Sequence, residues 1–294
     1  MVRARKRFGQ HFLEAAWVVK LVTAIAPEPA DRFIEIGPGR GAITAPLASR
    51  VARLVAVEVD RDLAAALAAR GLPNVTVVTE DVLDVDLVAI ARTFGGTEVP
   101  PSATGGAFLS AEASAKPGAP PSPVRIAGNL PYNISSPILF KLLEASRSGL
   151  FQDATLMLQK EVADRLIARP GTGDYGVLTL SAKVRADVVR VLELPPGAFR
   201  PAPKVRSSVV RLDFRPPPAG LSHPELLVEI VRSVFTQRRK TMSNALAPFA
   251  SARGLDLRLV LAEAALDPSR RPETFTLSDY ARLAGVVSGL AAPK

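Results

Sequence analysis

Residues 35–44 read EIGPGRGAIT, and the fold can be read outward from this stretch. An apolar strand pattern at 31–37 leads directly into it, and a helical pattern follows it. Gly37, Gly39 and Gly41 punctuate the turn. Glycines there let the backbone turn tightly and approach a ligand, and the N–H groups that begin the next helix attract an anion. The spacing is not the G-x-G-x-x-G of dinucleotide-binding folds, so the turn alone predicts only a strand–turn–helix unit.

The alternation of strands and helices continues along the chain. Apolar runs that read as strands occupy 52–60, 74–81, 123–129 and 153–160, and helical patterns occupy 43–51 and 61–71. Continuous apolar strands separated by helices predict a parallel sheet that is covered on both faces. Two later strand patterns, 188–194 and 207–214, have no helix between them. They predict an antiparallel pair at the edge of the sheet.

Two composition changes mark the domain organisation. The linker-like RPPPAG at 215–220 is followed by helical patterns to the end of the chain, so we predict a catalytic domain over 1–215 and a smaller helical domain over 216–294. Residues 95–123 are mostly Gly, Pro, Ala and Ser. Such a segment cannot bury enough apolar surface to offset the cost of ordering its backbone, and it is predicted to be a disordered insert.

Composition excludes several classes of protein. The 294 residues include no Cys, which excludes disulfides, thiol catalysis and Cys-based zinc sites, and only two His, which disfavours a multi-His metal site. We therefore expect no metal. A net charge of +9 and a pI of about 10.2 favour a polyanionic partner. No uncharged apolar run reaches membrane-spanning length and no signal-peptide pattern opens the chain, so a cytoplasmic protein without a membrane contact is expected.

Carboxylates follow the next two predicted strands. Glu58 ends the second strand and Asp81 follows the third. In an open α/β sheet, ligands bind outside the carboxyl ends of the strands. Glu58 can accept hydrogen bonds from two ribose hydroxyls, and Asp81 can accept one from an adenine amino group. Either acid alone would be read as a solvated loop residue. Together with the glycine turn they predict S-adenosylmethionine as the cofactor, because nothing here cradles a pyrophosphate.

The sequence NLPYN at 129–133 contains no acid, base or thiol. Its polar groups suit the exocyclic amine of a nucleobase, whose two hydrogens the Asn129 side-chain oxygen and the Leu130 carbonyl can accept. Pro131 biases Leu130 towards an extended backbone, which presents that carbonyl. Tyr132 can stack on a flipped base. We therefore predict methyl transfer to a base amine through positioning and electrostatics, with no titrating base.

These motifs, taken in order, resemble the ribosomal RNA adenine N6,N6-dimethyltransferases, and the bacterial 16S enzymes match best. The resemblance rests on FGQHFL, EIGPGRGAIT, VEVD, EDV, GNLPYNISSPIL, FRPAPKVRSSVVRL and FTQRRKTMSNAL. It implies a Rossmann-like class I S-adenosylmethionine-dependent methyltransferase sheet with a smaller all-helical C-terminal domain. It also implies dimethylation of N6 of two adjacent adenosines in a 3′-terminal hairpin of 16S rRNA, within an immature 30S subunit. We expect the protein to be a monomer.

The resemblance assigns roles residue by residue. Two departures from the family pattern are His11, where Asn is usual, and the length of the insert at 95–123. The Phe199 ring would stack on the second face of the target base. The predicted catalytic residues are Asn129, Leu130, Pro131, Tyr132 and Phe199. The predicted cofactor-binding residues are Gln10, His11, Leu13, Glu35, Gly37, Gly39, Glu58, Asp81, Val82 and Asn129.

Basic clusters are the candidates for RNA binding. Clusters of this kind neutralise phosphates and read little sequence, although a charged surface that only meets solvent is the alternative. The residues are Arg3, Arg5, Lys6 and Arg7, then Lys204 and Arg206, then Arg238, Arg239 and Lys240.

Three other functions compete with this reading. A related Asn/Asp-Pro-Pro-Tyr motif serves protein-glutamine and DNA-adenine methyltransferases, but Leu130, the GQHFL motif and the basic helical tail argue against both. The 23S-directed resistance methyltransferases are a second alternative, disfavoured by the extent of the terminal helices. The third is a non-enzymatic RNA-binding assembly factor, which would not need the glycine turn, Glu58, Asp81 and NLPY together.

Overall fold

The computed structural model describes residues 12–94 and 123–291. The insert predicted at 95–123 lies outside the described residues, apart from Pro123. The described residues form two compact units. The first consists of the residues up to Ala163 together with Val189–Arg215, and the second consists of Asp164–Val188 together with the residues from Pro216 onward.

Nine strands are described. A seven-stranded sheet has the order β4-β3-β2-β5-β6-β9-β7, and a separate two-stranded sheet pairs β1 with β8. The strands are β1 (Phe12–Leu13), β2 (Arg32–Ile36), β3 (Arg53–Val57), β4 (Val75–Val78), β5 (Val124–Asn129), β6 (Phe151–Gln159), β7 (Ala186–Leu194), β8 (Phe199–Arg200) and β9 (Ser207–Phe214).

The strand directions confirm the predicted α/β sheet. Strands β2 to β6 pair in parallel with their neighbours, and β9 is antiparallel to β6. The two late strands are neighbours at one side of the sheet, as predicted, but only β7 is an edge strand. Strand β9 lies between β6 and β7, and its burial fits that place: Val209, Val210 and Leu212 are fully buried.

The helices of the first unit cover this sheet. Aspartates begin two of them: Asp60 accepts hydrogen bonds from Asp62 N and Leu63 N, and Asp86 accepts from Val88 N and Ala89 N, as N-caps do. The helices are α1 (Ala15–Ile25), α2 (Thr44–Ala48), α3 (Arg61–Ala68), α4 (Leu87–Thr93) and α5 (Ser135–Ala145), and α6 (Lys160–Ile167) ends in the second unit.

The second unit is helical, as the sequence predicted for its C-terminal part. Its helices are α7 (Val177–Arg185), α8 (Pro224–Phe235), α9 (Met242–Ala252), α10 (Leu257–Glu263) and α11 (Leu277–Ala291). The prediction assigned residues 164–188 to the catalytic domain, and this assignment was wrong. Tyr175, Leu180 and Val184 belong to one buried cluster with Leu227 and Ile230 of α8. That packing partner is more than forty residues away along the chain, so no local pattern reveals it.

One glycine permits the close approach of β2 and β5. Gly128 lies opposite Ile36, and a Cβ atom at Gly128 would be 2.6 Å from the Ile36 carbonyl oxygen. Backbone oxygen in a central strand cannot move away. We expect Gly128→Ala to destabilise the protein by about 2 kcal/mol, within the usual range for overpacking. Gly197→Ala is the matched control, since a Cβ there meets no atom within 4 Å. Equal unfolding free energies for both variants in denaturant titrations would contradict this prediction.

Candidate active site

The predicted cofactor residues at the ends of β2, β3, β4 and β5 meet at one edge of the sheet. Strands β2, β3, β4 and β5 are parallel, and the last residues of the first three are in register: Ile36 lies opposite Val57, and Val57 opposite Val78. Gly37 N donates to the Val57 carbonyl at 2.9 Å, and Glu58 N donates to the Val78 carbonyl at 2.9 Å. The residues that follow each strand therefore come together at the carboxyl edge, where α/β sheets bind ligands.

The glycine turn has the backbone that only glycine adopts without strain. Gly37, Gly39 and Gly41 have φ of 65°, 58° and 70°. Gly41 is also closely packed, because a Cβ there would lie 2.8 Å from Leu67 Cδ1. The following helix α2 has only five residues. The turn itself, rather than a long helix with an N-terminal dipole, is therefore the part of this segment that suits a ligand.

Glu58 ties the turn to the end of β3. Its Oε2 accepts from Gly39 N at 2.9 Å, and its Oε1 accepts from Asp60 N at 3.0 Å. The side chain is only 6% exposed. Burial raises the pKa of Glu58, and these two backbone hydrogen bonds oppose the rise. Each carboxylate oxygen can accept a further hydrogen bond, so Glu58 retains acceptor capacity for two hydroxyl groups.

Glu35 is a buried acid without a hydrogen bond of standard geometry among the described residues. Both of its carboxylate oxygens lack one, and its side chain is 1% exposed. Burial raises the pKa of Glu35 to about 7; the nearby Thr44 hydroxyl lowers it and the Glu58 charge raises it further. A buried acid with two unbonded oxygens calls for an explanation, and a cationic ligand group would supply one.

The loop after β4 is held by a residue that the sequence reading missed. Asp81 Oδ1 accepts from Leu83 N at 2.9 Å, and Val82 between them is buried. From α5, Lys141 Nζ donates to the Leu83 carbonyl at 2.6 Å. Burial lowers the pKa of Lys141, while the charges of the loop aspartates oppose that shift. The one available signal was a lone cation inside the apolar run ILFKLL, which fits a solvated helix face equally well.

The predicted catalytic motif begins at the last residue of β5, Asn129. Asn129 pairs with Met157 in the ladder, and Leu130 N continues it by donating to the Met157 carbonyl at 3.1 Å. The Tyr132 hydroxyl lies 2.6 Å from Ser207 Oγ. Burial raises the pKa of Tyr132, and the Ser207 hydrogen bond opposes this. Tyr132 therefore keeps its proton near neutral pH, as expected for a residue that stacks rather than acts as a base.

Phe199 has a different environment from the one its predicted role requires. It lies in β8 opposite Leu13 of β1, and its side chain is fully buried in the same apolar cluster as Leu194 and Val209. A buried ring presents no face to a base in this structure. Stacking by Phe199 stays a prediction, and it requires the ring to become accessible.

The structure describes only some of the residues in the predicted basic clusters. Gln10 and His11, with the cluster Arg3, Arg5, Lys6 and Arg7, lie outside the described residues. Lys204, Arg206, Arg239 and Lys240 are exposed. Arg238 is half-buried and donates to the Thr172 carbonyl at 3.0 Å.

A further pair of cations lies beside the cluster of Arg238, Arg239 and Lys240. Met242 N donates to the Arg270 carbonyl at 2.6 Å, which brings the loop that holds exposed Arg270 and Arg271 next to the loop after α8. These arginines are about thirty positions from the QRRK motif along the chain. The sequence therefore offered no reason to group them with it.

Two features are absent from residues 12–94 and 123–291. These residues contain no group of three or more His, Cys, Asp or Glu side chains placed to hold a metal ion. Within the same residues, no helix is both long enough and apolar enough to cross a membrane.

Comparison with known proteins identifies the family. The profile of the ribosomal RNA adenine dimethylases matches residues 1–282. The chain belongs to this family. Two relatives named ribosomal RNA small subunit methyltransferase A agree with it: one from Syntrophotalea carbinolica is 39% identical over 97% of each chain, and one from Leptothrix cholodnii is 42% identical over 95% of this chain and 90% of that one.

Two solved structures share the fold of this chain. A dimethyladenosine transferase from Plasmodium falciparum superposes with a TM-score of 0.68 at 22% identity, covering 93% of this chain and 96% of that one. The 23S rRNA methyltransferase ErmE superposes with a TM-score of 0.61 at 24% identity, covering 94% and 99%. The predicted family, the class I methyltransferase fold and the assignment as an rRNA adenine dimethyltransferase are confirmed. The protein-glutamine, DNA-adenine and non-enzymatic alternatives are not supported.

Proposed function

We propose that this dimethylase transfers methyl groups from S-adenosylmethionine to N6 of two adjacent adenosines in the 3′-terminal hairpin of 16S rRNA. Its substrate is the rRNA within an immature 30S subunit, and it works in the cytoplasm as a monomer. The observation that carries the proposal is the shared edge of β2, β3, β4 and β5. There the glycine turn, Glu58 and Asp81 follow β2, β3 and β4, and Asn129 is the last residue of the adjacent parallel strand β5.

The residues at this edge fit the cofactor. Bound S-adenosylmethionine supplies an electrophilic methyl group. Gly37 and Gly39 would let the backbone approach its methionine part, and the unbonded oxygens of Glu35 would accept its ammonium group. Glu58 would accept the ribose hydroxyls, and the loop of Asp81 and Val82 would hold the adenine. Gln10, His11 and Leu13 complete the proposed set at the N-terminus.

The catalytic motif would act on the target amine. The Asn129 side-chain oxygen and the Leu130 carbonyl would accept its two hydrogens, which localises the nitrogen lone pair and directs it toward the methyl carbon that the bound cofactor would supply. Pro131 keeps Leu130 extended, and Tyr132 stacks on the base. After transfer the nitrogen loses a proton to water, so the chain needs no general base. Phe199 would join this set only with its ring accessible.

Phosphate contacts would provide most of the RNA affinity. The exposed residues Lys204, Arg206, Arg239 and Lys240, with Arg238, are the proposed contacts among the described residues. Arg270 and Arg271, on the neighbouring loop of the helical unit, extend the cluster of Arg238, Arg239 and Lys240. The N-terminal cluster of Arg3, Arg5, Lys6 and Arg7 is proposed on its charge alone.

The raised pKa of Glu35 predicts a pH dependence of cofactor binding. Only ionised Glu35 can pair with the cofactor ammonium, and its pKa of about 7 leaves it mostly protonated below neutrality. We expect wild-type affinity to fall about tenfold from pH 8 to pH 6, with proton release on binding at the lower pH. Glu35→Gln should bind more weakly at pH 8 and lose most of this dependence. Calorimetry in buffers of different ionisation enthalpy measures both the cofactor affinity and the number of protons released on binding.

The same group affects stability without the cofactor. The folded-state pKa lies above the ordinary value of 4.5, so the folded protein retains a proton that the unfolded chain loses. The stability that this retained proton contributes is fully present below about pH 4.5 and is lost as the pH rises through about 7. Glu58, whose pKa is also raised, contributes in the same direction. Glu35→Gln should therefore be more stable than wild type at pH 8 and similar to it at pH 5; the reverse order in thermal unfolding would contradict the assignment.

A substrate comparison tests the proposed function. Immature 30S particles and 50S particles, both lacking methylation, are incubated with labelled S-adenosylmethionine and the protein, and modified nucleotides are mapped by mass spectrometry. We expect dimethyladenosine at two adjacent positions of 16S rRNA and no label in 23S rRNA. Label in 23S rRNA would favour the resistance-type activity. Absence of label from both particles, with intact RNA binding, would favour an assembly factor without catalysis.

A further inference from the structure

The ring of Tyr132 is held at both of its ends. On the backbone side, Ile134 N donates to the Pro131 carbonyl at 3.2 Å, and Ser135 Oγ donates to the Tyr132 carbonyl at 3.2 Å. At the far end, the Tyr132 hydroxyl lies 2.6 Å from Ser207 Oγ. A ring fixed only at its backbone could still rotate about its side-chain torsions. The second contact restricts that rotation.

Ser207 is itself in a rigid position. It is fully buried and is the first residue of β9, where it pairs with Gln159 at the end of β6. Lys160 N donates to the Arg206 carbonyl at 2.9 Å, which extends this pairing by one step. Strand β6 also pairs with β5 through Met157 and Asn129. Asn129 and Ser207 are therefore held on strands that flank β6 in one sheet.

We propose that Ser207 is a positioning residue for the methyl-transfer reaction, which fixes the Tyr132 ring so that a stacked adenine presents its amino group to Asn129 and Leu130. This inference rests on the proposed function. Its physical basis is that a stacked base takes its plane from the ring beneath it. A shift of about 1 Å in the reacting atoms can lower a rate by about 10²-fold.

The adjacent residue supplies a matched control. Ser208 is also fully buried in β9, but it points to the opposite face of the sheet, since side chains alternate along a strand. Its Oγ makes no hydrogen bond within the described residues. Ser208→Ala therefore removes a hydroxyl of equal burial from the same strand without touching Tyr132.

The test combines four proteins in a cycle: wild type, Ser207→Ala, Tyr132→Phe and the double variant. Single-turnover methylation of immature 30S particles is measured with both substrates saturating. We expect Ser207→Ala to lower the rate about tenfold, within the range for a misplaced reacting group, while cofactor and RNA affinities stay within about twofold. Ser208→Ala should stay within about twofold of wild type. The double variant should be no slower than Tyr132→Phe.

Several results would overturn the proposal. Equal methyl-transfer rates for Ser207→Ala and Ser208→Ala would overturn it. It would also be overturned if Ser207→Ala lowered the rate of the Tyr132→Phe variant as much as it lowers the wild-type rate. If Ser207→Ala folds poorly, Ser207→Thr and Ser207→Val replace it, because they have nearly the same shape and differ in the hydroxyl. Only the Thr variant should retain the rate. The same four proteins also give the coupling between Tyr132 and Ser207 in the free energy of unfolding, a measurement that needs no substrate. If this coupling is zero, the proposal is overturned. If the wild-type protein methylates no 30S particle, the proposed function fails, and the coupling still tests the contact independently.

Discussion

Asn129→Ala is expected to lower the single-turnover rate of methyl transfer by about 10²–10³, the scale for losing one preorganised polar partner of the reacting group. The variant still has the Leu130 carbonyl, but it can accept only one of the two amine hydrogens. RNA affinity should barely change, because the basic clusters dominate it. Cofactor affinity can fall somewhat, since Asn129 ends the strand beside the glycine turn.

Asn129→Asp separates hydrogen-bond acceptance from shape. Its carboxylate still accepts hydrogen bonds, so it should keep more activity than the Ala variant if acceptance is the role of Asn129. The comparison uses assembled 30S precursor with both substrates saturating, so that losses in binding do not contribute. If both variants fold, bind cofactor and prove equally inactive, Asn129 acts through its shape or its amide donor instead.

Glu58→Ala is expected to weaken S-adenosylmethionine binding by about tenfold to over a hundredfold. A charged hydrogen bond to a ribose hydroxyl is worth roughly 1.5–3 kcal/mol. The structure adds a second reason, because Glu58 also accepts from Gly39 N and Asp60 N. Its loss releases the glycine turn from the end of β3.

Calorimetric titration with the cofactor measures this effect. Glu28→Ala is a suitable control, since it removes an exposed carboxylate of equal charge in the same unit. Glu28 precedes the amino end of β2, whereas the site residues lie at the carboxyl end of that strand. Unchanged affinity in Glu58→Ala would remove Glu58 from the cofactor site. A change in turnover at saturating cofactor, with affinity intact, would instead indicate that Glu58 acts only by supporting the turn.

Much of the first unit was predictable because its signals are local. The parallel strands showed as apolar runs, and Gly37, Glu58, Asp81 and Asn129 each come at or just after the end of such a run. A parallel sheet gathers these ends at one edge, so the order of the motifs was enough to group them. The C-terminal helices were equally predictable from their periodicity.

Other features had no local signal. Residues 164–188 joined the helical unit because Tyr175 and Leu180 pack with α8, a contact between distant segments. Phe199 matched a stacking motif, but the same aromatic residue can be a core ring, and burial decided between the two in this structure. Lys141 acquired a partner only when α5 packed near the loop after β4.

The sequence by itself determined the fold class, the family and the grouping of the site residues, because strand ends and glycine turns are properties of short segments. Tertiary structure alone decided the burial, the hydrogen-bond partners and the pKa shifts of those residues. Sheet order brought Ser207 to the Tyr132 hydroxyl across 75 positions of chain. Removal of water around Glu35 raised its pKa to about 7. Both depend on which distant atoms surround a side chain, and burial and hydrogen-bond partners of that kind exist only once the chain has folded.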